Sequence, residues 1–219
     1  MTETSPPFRI TEIYPSIQGE AAYAGFPCTF IRMTGCPLRC RWCDTVYAFQ
    51  GGRDMQVDEV VAEVERLGHP LVELTGGEPM AQAGTPSLAE TLIAKGFKVM
   101  IETGGAHPVE TLPEATHIIM DLKCPGSGMV DRNRWENLAA LKPSDEIKFV
   151  LANRDDFDWA VTVIRRERLD ERFKVLMSCA FGLLAPKDLA EWMLEARLDR
   201  VRMQLQMHKH IWSPRARGV

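Results

Sequence analysis

Short apolar runs rich in β-branched or aromatic residues recur at 29–33, 71–74, 97–101, 117–122, 146–151, 173–177 and 201–205, and each reads as a buried strand. Between several of them lie apolar stripes at i, i+3, i+4, i+7: Val57, Val60, Val61, Val64 and Leu67, then Phe157, Ala160, Val161 and Ile164, then Leu189, Trp192, Met193 and Ala196. These predict amphipathic helices. Gly68 and Gly96 stand just past two of the helices and Pro186 opens another, as helix stop and start signals require. Strand and helix in alternation imply parallel pairing through right-handed crossovers, hence an α/β domain. A closed eightfold barrel takes about 250 residues, and this chain has 219. A partial, open-sided barrel is therefore predicted, with its chemistry at the C-terminal ends of the strands. No low-complexity linker or internal repeat divides the chain, so residues 1–219 are expected to form a single domain, with 1–9 and 213–219 as flexible ends.

Charge narrows the function. With 26 Lys and Arg against 30 Asp and Glu, the net charge is −4, and no basic stripe suits direct nucleic-acid binding. Residues 1–10 lack a cationic and then apolar run, and nowhere do eighteen apolar residues occur together. Export and membrane spanning are thus not expected, and the chain is read as cytoplasmic. Of its 6 cysteines, Cys36, Cys40 and Cys43 form one tight cluster, which points to metal or redox chemistry in place of disulfides. Cys28, Cys124 and Cys179 read as small buried residues.

The cluster is Gly35-Cys36-Pro37-Leu38-Arg39-Cys40-Arg41-Trp42-Cys43-Asp44-Thr45, a CxxxCxxC loop directly after the run at 29–33. Three thiolates on one short loop can converge on one metal centre. Structural zinc takes four protein ligands, so a zinc site here needs Cys124 or a histidine to complete it. A 4Fe-4S cluster normally has four cysteines, and with three it keeps one iron open to a small molecule. Reduced thiols without a metal are the third reading. After the run at 71–74 stands Thr75-Gly76-Gly77-Glu78-Pro79, where paired glycines permit a tight turn and close backbone approach, and proline suits a helix start. Later strand ends carry Glu102-Thr103-Gly104-Gly105, Asp121-Leu122-Lys123 and Lys148. Carboxylates there can accept hydrogen bonds from ribose hydroxyls, and lysines can meet a carboxylate; Lys148 reads equally as a solvated strand end.

CxxxCx(aromatic)C after the first barrel strand, followed by GGEP after the next, resembles the radical S-adenosylmethionine enzymes. The resemblance implies a shortened (β/α) barrel of mostly parallel strands, with Cys36, Cys40 and Cys43 holding a [4Fe-4S] cluster. It implies that the open iron chelates the amino and carboxylate groups of S-adenosylmethionine, and that an electron cleaves that cofactor to methionine and a 5'-deoxyadenosyl radical. Trp42 then lies by the adenine, Gly77 and Glu78 receive the methionyl ammonium, and Glu102, Asp121, Leu122 and Lys123 complete the cofactor site.

The flanking residues are more specific. Ile17-Gln18-Gly19-Glu20, Arg32, Cys43-Asp44-Thr45 and Gln204-Leu205-Gln206-Met207-His208-Lys209 closely resemble the 7-carboxy-7-deazaguanine synthase family, over most of the chain. That resemblance implies ring contraction of 6-carboxy-5,6,7,8-tetrahydropterin with loss of ammonia, on the way to queuosine and other deazapurines. It implies Mg2+ at Thr45 and substrate contacts from Ile17, Gln18, Gly19, Glu20, Arg32, Thr75 and His208. It further implies a flavodoxin-like or other electron donor and a homodimer. Plainer roles exist for some of these: Thr45 as a turn cap, Arg32 paired with a surface carboxylate, His208 as an ordinary polar residue. The family often has QGEG where this chain has Ala21, and ETSG or ETNG where it has Gly104. Some members end soon after the HK pair and use the terminal carboxylate in the substrate site, whereas this chain continues to Val219. A glycyl-radical activase and a zinc-stabilised binding module are the competing readings.

Overall fold

The computed structural model describes residues 6–219. Its strands are β1 (Phe8–Ile17), β2 (Pro27–Met33), β3 (Arg53–Met55), β4 (Leu71–Gly76), β5 (Lys98–Thr103), β6 (His117–Asp121), β7 (Glu146–Leu151), β8 (Lys174–Cys179) and β9 (Val201–Met203). They form one open sheet in the order β3-β1-β2-β4-β5-β6-β7-β8-β9. The seven predicted runs are its parallel strands, β2 and β4 to β9. The antiparallel β1 and β3 were not predicted. In β1 the pairing register shifts between Ile10 and Glu12, which breaks the period-2 pattern that identifies a strand.

The helices are α1 (Val57–Leu67), α2 (Thr85–Ala94), α3 (Arg154–Glu167), α4 (Leu169–Arg172), α5 (Pro186–Glu195) and α6 (His208–Ile211). Gln56 and Glu59 cap the start of α1 reciprocally, and Gly68 ends it in the left-handed conformation. Between β6 and β7 the crossover is trimmed to short 3-10 turns. No described helix is long and apolar enough to cross a membrane.

Alternation along the strands decides what each face of the sheet carries. Ile31, Met33, Val72, Leu74, Val99 and Ile101 pack with Val60, Val64, Leu88 and Phe157 of the helices in one core. The intervening residues Arg32, Glu73, Thr75, Glu102, Asp121 and Lys148 line a cavity on the opposite face. The loop between β1 and β2 crosses to the far edge of the sheet. There the Ala21 N–H donates to Gln204 Oε1 at 2.8 Å and Arg202 donates to the Ala21 carbonyl at 2.6 Å.

The two ends expected to be flexible carry contacts in the structure. Phe8 is buried in the core and, with Arg9, pairs with β3; residues 1–5 lie outside the described ones. At the other end, 213–219 line the cavity instead of standing clear of the fold, with the Arg217 guanidinium 4.1 Å from the Tyr47 ring centroid. The segment stays largely exposed, and a cation–π contact at such a position contributes about 0.5–1 kcal/mol to holding it there.

Candidate active site

Two motifs far apart in sequence are joined through their backbones. The Gly77 N–H donates to the Met33 carbonyl at 2.9 Å and the Glu78 N–H to the Gly35 carbonyl at 2.7 Å. A Cβ on Gly77 would lie 2.1 Å from the Gly35 oxygen, so only glycine admits this approach. Glu78 is fully buried, and its carboxylate accepts from Thr103 Oγ1 (2.7 Å), the Gly104 N–H (2.7 Å) and the Met80 N–H (3.0 Å). Burial pushes its pKa up against those hydrogen bonds. It braces the glycine turn against the end of β5.

Cys36, Cys40 and Cys43 are half-buried free thiols lining the same cavity, of about 850 Å3. Burial raises all three thiol pKa values, with Lys123 opposing the rise. Metal binding here therefore displaces protons. Cys124 is packed in the hydrophobic core, and among the described residues no three His, Cys, Asp or Glu side chains converge tightly enough for one ion. A single-zinc site completed by Cys124 does not fit. A [4Fe-4S] cluster, whose cysteines bind separate irons, suits three thiols lining one cavity.

Beside the thiols, Lys123 donates to Asp121 Oδ2 at 2.7 Å, while the buried Asp121 Oδ1 has no partner. Such an oxygen is what a ligand's donor would satisfy. Against the lowering effect of burial, Asp121 and then Cys40 keep the Lys123 pKa above the ordinary lysine range. Leu122, expected in the cofactor site, turns its side chain into the core, and its N–H donates to the Lys148 carbonyl. Strand alternation sends it to the wrong face. Trp42, Gly77 and Glu102 line the cavity, and so does Thr103, which the sequence had not singled out.

Across the cavity stand Ile17, Gln18, Gly19, Glu20, Arg32, Thr75 and His208. The Met207 N–H donates to the Gly19 carbonyl at 3.0 Å, seating His208 so close that a Cβ on Gly19 would meet its Nδ1 at 2.6 Å. Burial lowers the His208 pKa. Arg32 does pair with a carboxylate, a part-buried one: its Nε donates to Glu12 Oε1 at 2.7 Å, and Tyr47 donates to the same oxygen at 2.8 Å. Thr45 caps no turn with its side chain and donates to Asp44 Oδ1 at 2.8 Å. Lys209 holds Asp44 from the other side at 2.7 Å and keeps its pKa low against the opposing effect of burial.

Three features were missed or left open in the sequence. Glu73 is buried under the site and accepts a hydrogen bond from Gln18 Nε2; a carboxylate inside the run Leu71-Val72-Glu73-Leu74 was the signal. Burial first, then the charge of Glu102, pushes its pKa well above the ordinary carboxyl value. Lys148 is no solvated strand end but a buried ammonium between Glu20 and Glu102. The Asp44–Lys209 pair had no local signal.

A model of the Radical SAM superfamily matches residues 30–124, the stretch from β2 through the Asp121-Leu122-Lys123 segment. The 7-carboxy-7-deazaguanine synthase of Koribacter versatilis is 47% identical over 226 residues, covering 96% of this chain and 100% of that one. The Chlorobaculum tepidum protein of the same name is 44% identical, covering 99% of each chain. This chain belongs to the 7-carboxy-7-deazaguanine synthase family. The synthase fold agrees too: the crystal structure of QueE from Escherichia coli superposes with a TM-score of 0.74 at 23% identity, covering 91% of this chain and 94% of that one. Membership of the synthase family implies a [4Fe-4S] cluster and S-adenosylmethionine.

The two departures from the synthase pattern have local explanations. Ala21 adopts φ +62°, the left-handed conformation for which the family's glycine is suited. Its N–H and carbonyl are both held from β9 and beyond, by Gln204 and Arg202, which offsets the roughly 1–2 kcal/mol that conformation costs. At Gly104 a Cβ would meet Leu38 Cδ1 at 2.7 Å, so a side chain there requires the leucine tip to swing aside.

Proposed function

We propose that this chain converts 6-carboxy-5,6,7,8-tetrahydropterin to 7-carboxy-7-deazaguanine with loss of ammonia, as one catalytic domain. The carrying observation is that the cysteine loop, the glycine turn, the β1–β2 loop and the His208 segment all line one cavity. In this reading Cys36, Cys40 and Cys43 hold the [4Fe-4S] cluster. The bound cluster and S-adenosylmethionine supply one-electron cleavage of the cofactor and a 5'-deoxyadenosyl radical able to take hydrogen from C6 of the pterin.

The chain's own residues position and shield that chemistry. Glu78, satisfied within the protein, aims the Gly76–Gly77 backbone carbonyls at the methionyl ammonium. Trp42 covers the adenine, Glu102 accepts from the ribose, and Asp121 with Lys123 completes this half, Leu122 contributing backbone only. On the substrate side Arg32, oriented by Glu12 and Tyr14, meets the pterin carboxylate. Ile17, Gln18, Gly19, Glu20, Thr75 and His208 hold the ring edges. Thr45, donating its proton to Asp44, keeps its oxygen lone pairs for Mg2+, which retains waters and takes other oxygens from substrate.

The reading carries with it a reducing, cytoplasmic setting. A flavodoxin-like reductant and a homodimer complete the reading. The test is anaerobic turnover of iron-reconstituted protein with carboxytetrahydropterin, S-adenosylmethionine, Mg2+ and dithionite. Deazaguanine acid should accumulate while S-adenosylmethionine is recovered; cluster-loaded protein that leaves the pterin unchanged refutes the assignment.

A further inference from the structure

One side chain bridges the two halves of the cavity. Lys148 comes from the middle of β7 on the inner face, and its side chain is 5% exposed. Its ammonium donates to Glu20 Oε2 at 2.9 Å and to Glu102 Oε1. Glu20 belongs to the loop after β1 and also accepts from Gln206 Nε2 at 2.9 Å. Glu102 is the penultimate residue of β5, on the opposite side. Neither carboxylate contacts the other directly in the hydrogen-bond network, so the lysine is their common partner.

We infer that Lys148 is a positioning residue that couples occupancy of the pterin half of the cavity to occupancy of the cofactor half. The inference rests on the reading that Glu20 faces the pterin and Glu102 the cofactor. A ligand donor on either carboxylate orders that carboxylate and, through the shared ammonium, orders the other one in advance. The second ligand then binds a site already arranged, which gives positive coupling. The coupling is reciprocal, with each ligand raising the other's affinity by one common factor. Two carboxylates raise the Lys148 pKa well above the ordinary range against the effect of burial, so it stays charged and is a poor proton donor near neutrality. A general-acid role is therefore disfavoured, whereas a fixed ionic anchor fits. Removing it would leave Glu20 and Glu102 to repel each other above a third carboxyl, Glu73.

The experiment is equilibrium dialysis of S-adenosylmethionine against the cluster-loaded, oxidised enzyme, in which no cleavage occurs, with and without carboxytetrahydropterin. Wild type should bind the cofactor roughly 5-fold or more tightly when the pterin is present. In Lys148→Met that ratio should fall to about one, while Lys148→Arg, which keeps the charge, should retain part of it. A merely structural role would lower both affinities and the melting temperature but leave the ratio as in wild type, and that result overturns the inference. If Lys148→Met does not fold, Lys148→Gln gives the same reading, since it removes the charge and keeps hydrogen bonding. Wild-type protein that turns over the pterin yet shows a ratio of one sinks this inference alone. Wild type that neither binds nor converts the pterin sinks the functional assignment instead.

Discussion

Replacing Gly77 with alanine should dislodge the cysteine loop. The new Cβ would sit 2.1 Å from the Gly35 carbonyl oxygen and 3.1 Å from Cys36 Cβ. Restoring ordinary contact requires the loop to retreat by about 1 Å or more. That movement weakens the hydrogen bonds from Gly77 to Met33 (2.9 Å) and from Glu78 to Gly35 (2.7 Å), together worth about 1–3 kcal/mol. Overpacking adds about 1–3 kcal/mol, for a total of roughly 2–6 kcal/mol. In a domain of this size the melting temperature should drop by roughly 4–24 °C. Because Cys36 is adjacent, iron and sulfide per chain should fall after anaerobic reconstitution, together with the electron paramagnetic resonance signal of the reduced cluster. Gly96→Ala is the control: its φ is +90°, so alanine strains the backbone, but its Cβ meets nothing within 4 Å. It should lower the melting temperature modestly and leave the cluster intact. A Gly77→Ala protein with full iron content and wild-type melting would show that the close approach of the two motifs does not exist in solution.

Glu73→Gln tests the buried carboxyl under the site, whose pKa is raised. Its folded pKa lies well above 4.5, so wild-type stability should decline as pH rises from about 4.5 upward, where the native state holds a proton that the unfolded state has lost. The amide variant should lack that decline and be more stable near neutrality in denaturant titrations; parallel pH curves for the two proteins would contradict it. Thr45→Val should retain cluster and S-adenosylmethionine binding while needing roughly 10- to 100-fold more Mg2+ for half-maximal turnover, and unaltered Mg2+ dependence would remove Thr45 from the ion's site. Arg217→Ala frees Tyr47 and, through it, Glu12 and Arg32. A lost cation–π contact of about 0.5–1 kcal/mol should appear as a roughly 2- to 5-fold higher KM for the pterin with unchanged iron content, whereas an unchanged KM means that the tail only lies beside the site.

Much of this protein is local in origin, and so was legible in the chain. The helices at Val57–Leu67, Arg154–Glu167 and Pro186–Glu195 follow from 3.6-residue stripes and their end signals. The CxxxCxxC and TGGEP motifs depend on the spacing of neighbouring residues, which is covalent. Other features were set by register. The strand runs were read as uniformly apolar, and only the pleat showed that Glu73, Glu102, Asp121 and Lys148 share one face while Leu122 takes the other. A one-residue slip in any strand would have reversed that choice. Lys148 meets Glu20 across 128 positions and Glu102 across 46, and the Asp44–Lys209 pair and the Arg217–Tyr47 contact span comparable gaps. The amino-acid order by itself determined the strand and helix types, the thiol spacing and the glycine turn, because those depend on neighbours along the backbone. Which charges became partners, and which way a buried carboxyl's pKa moved, was decided by the tertiary structure, because burial and distance between remote strands exist only once the sheet has formed.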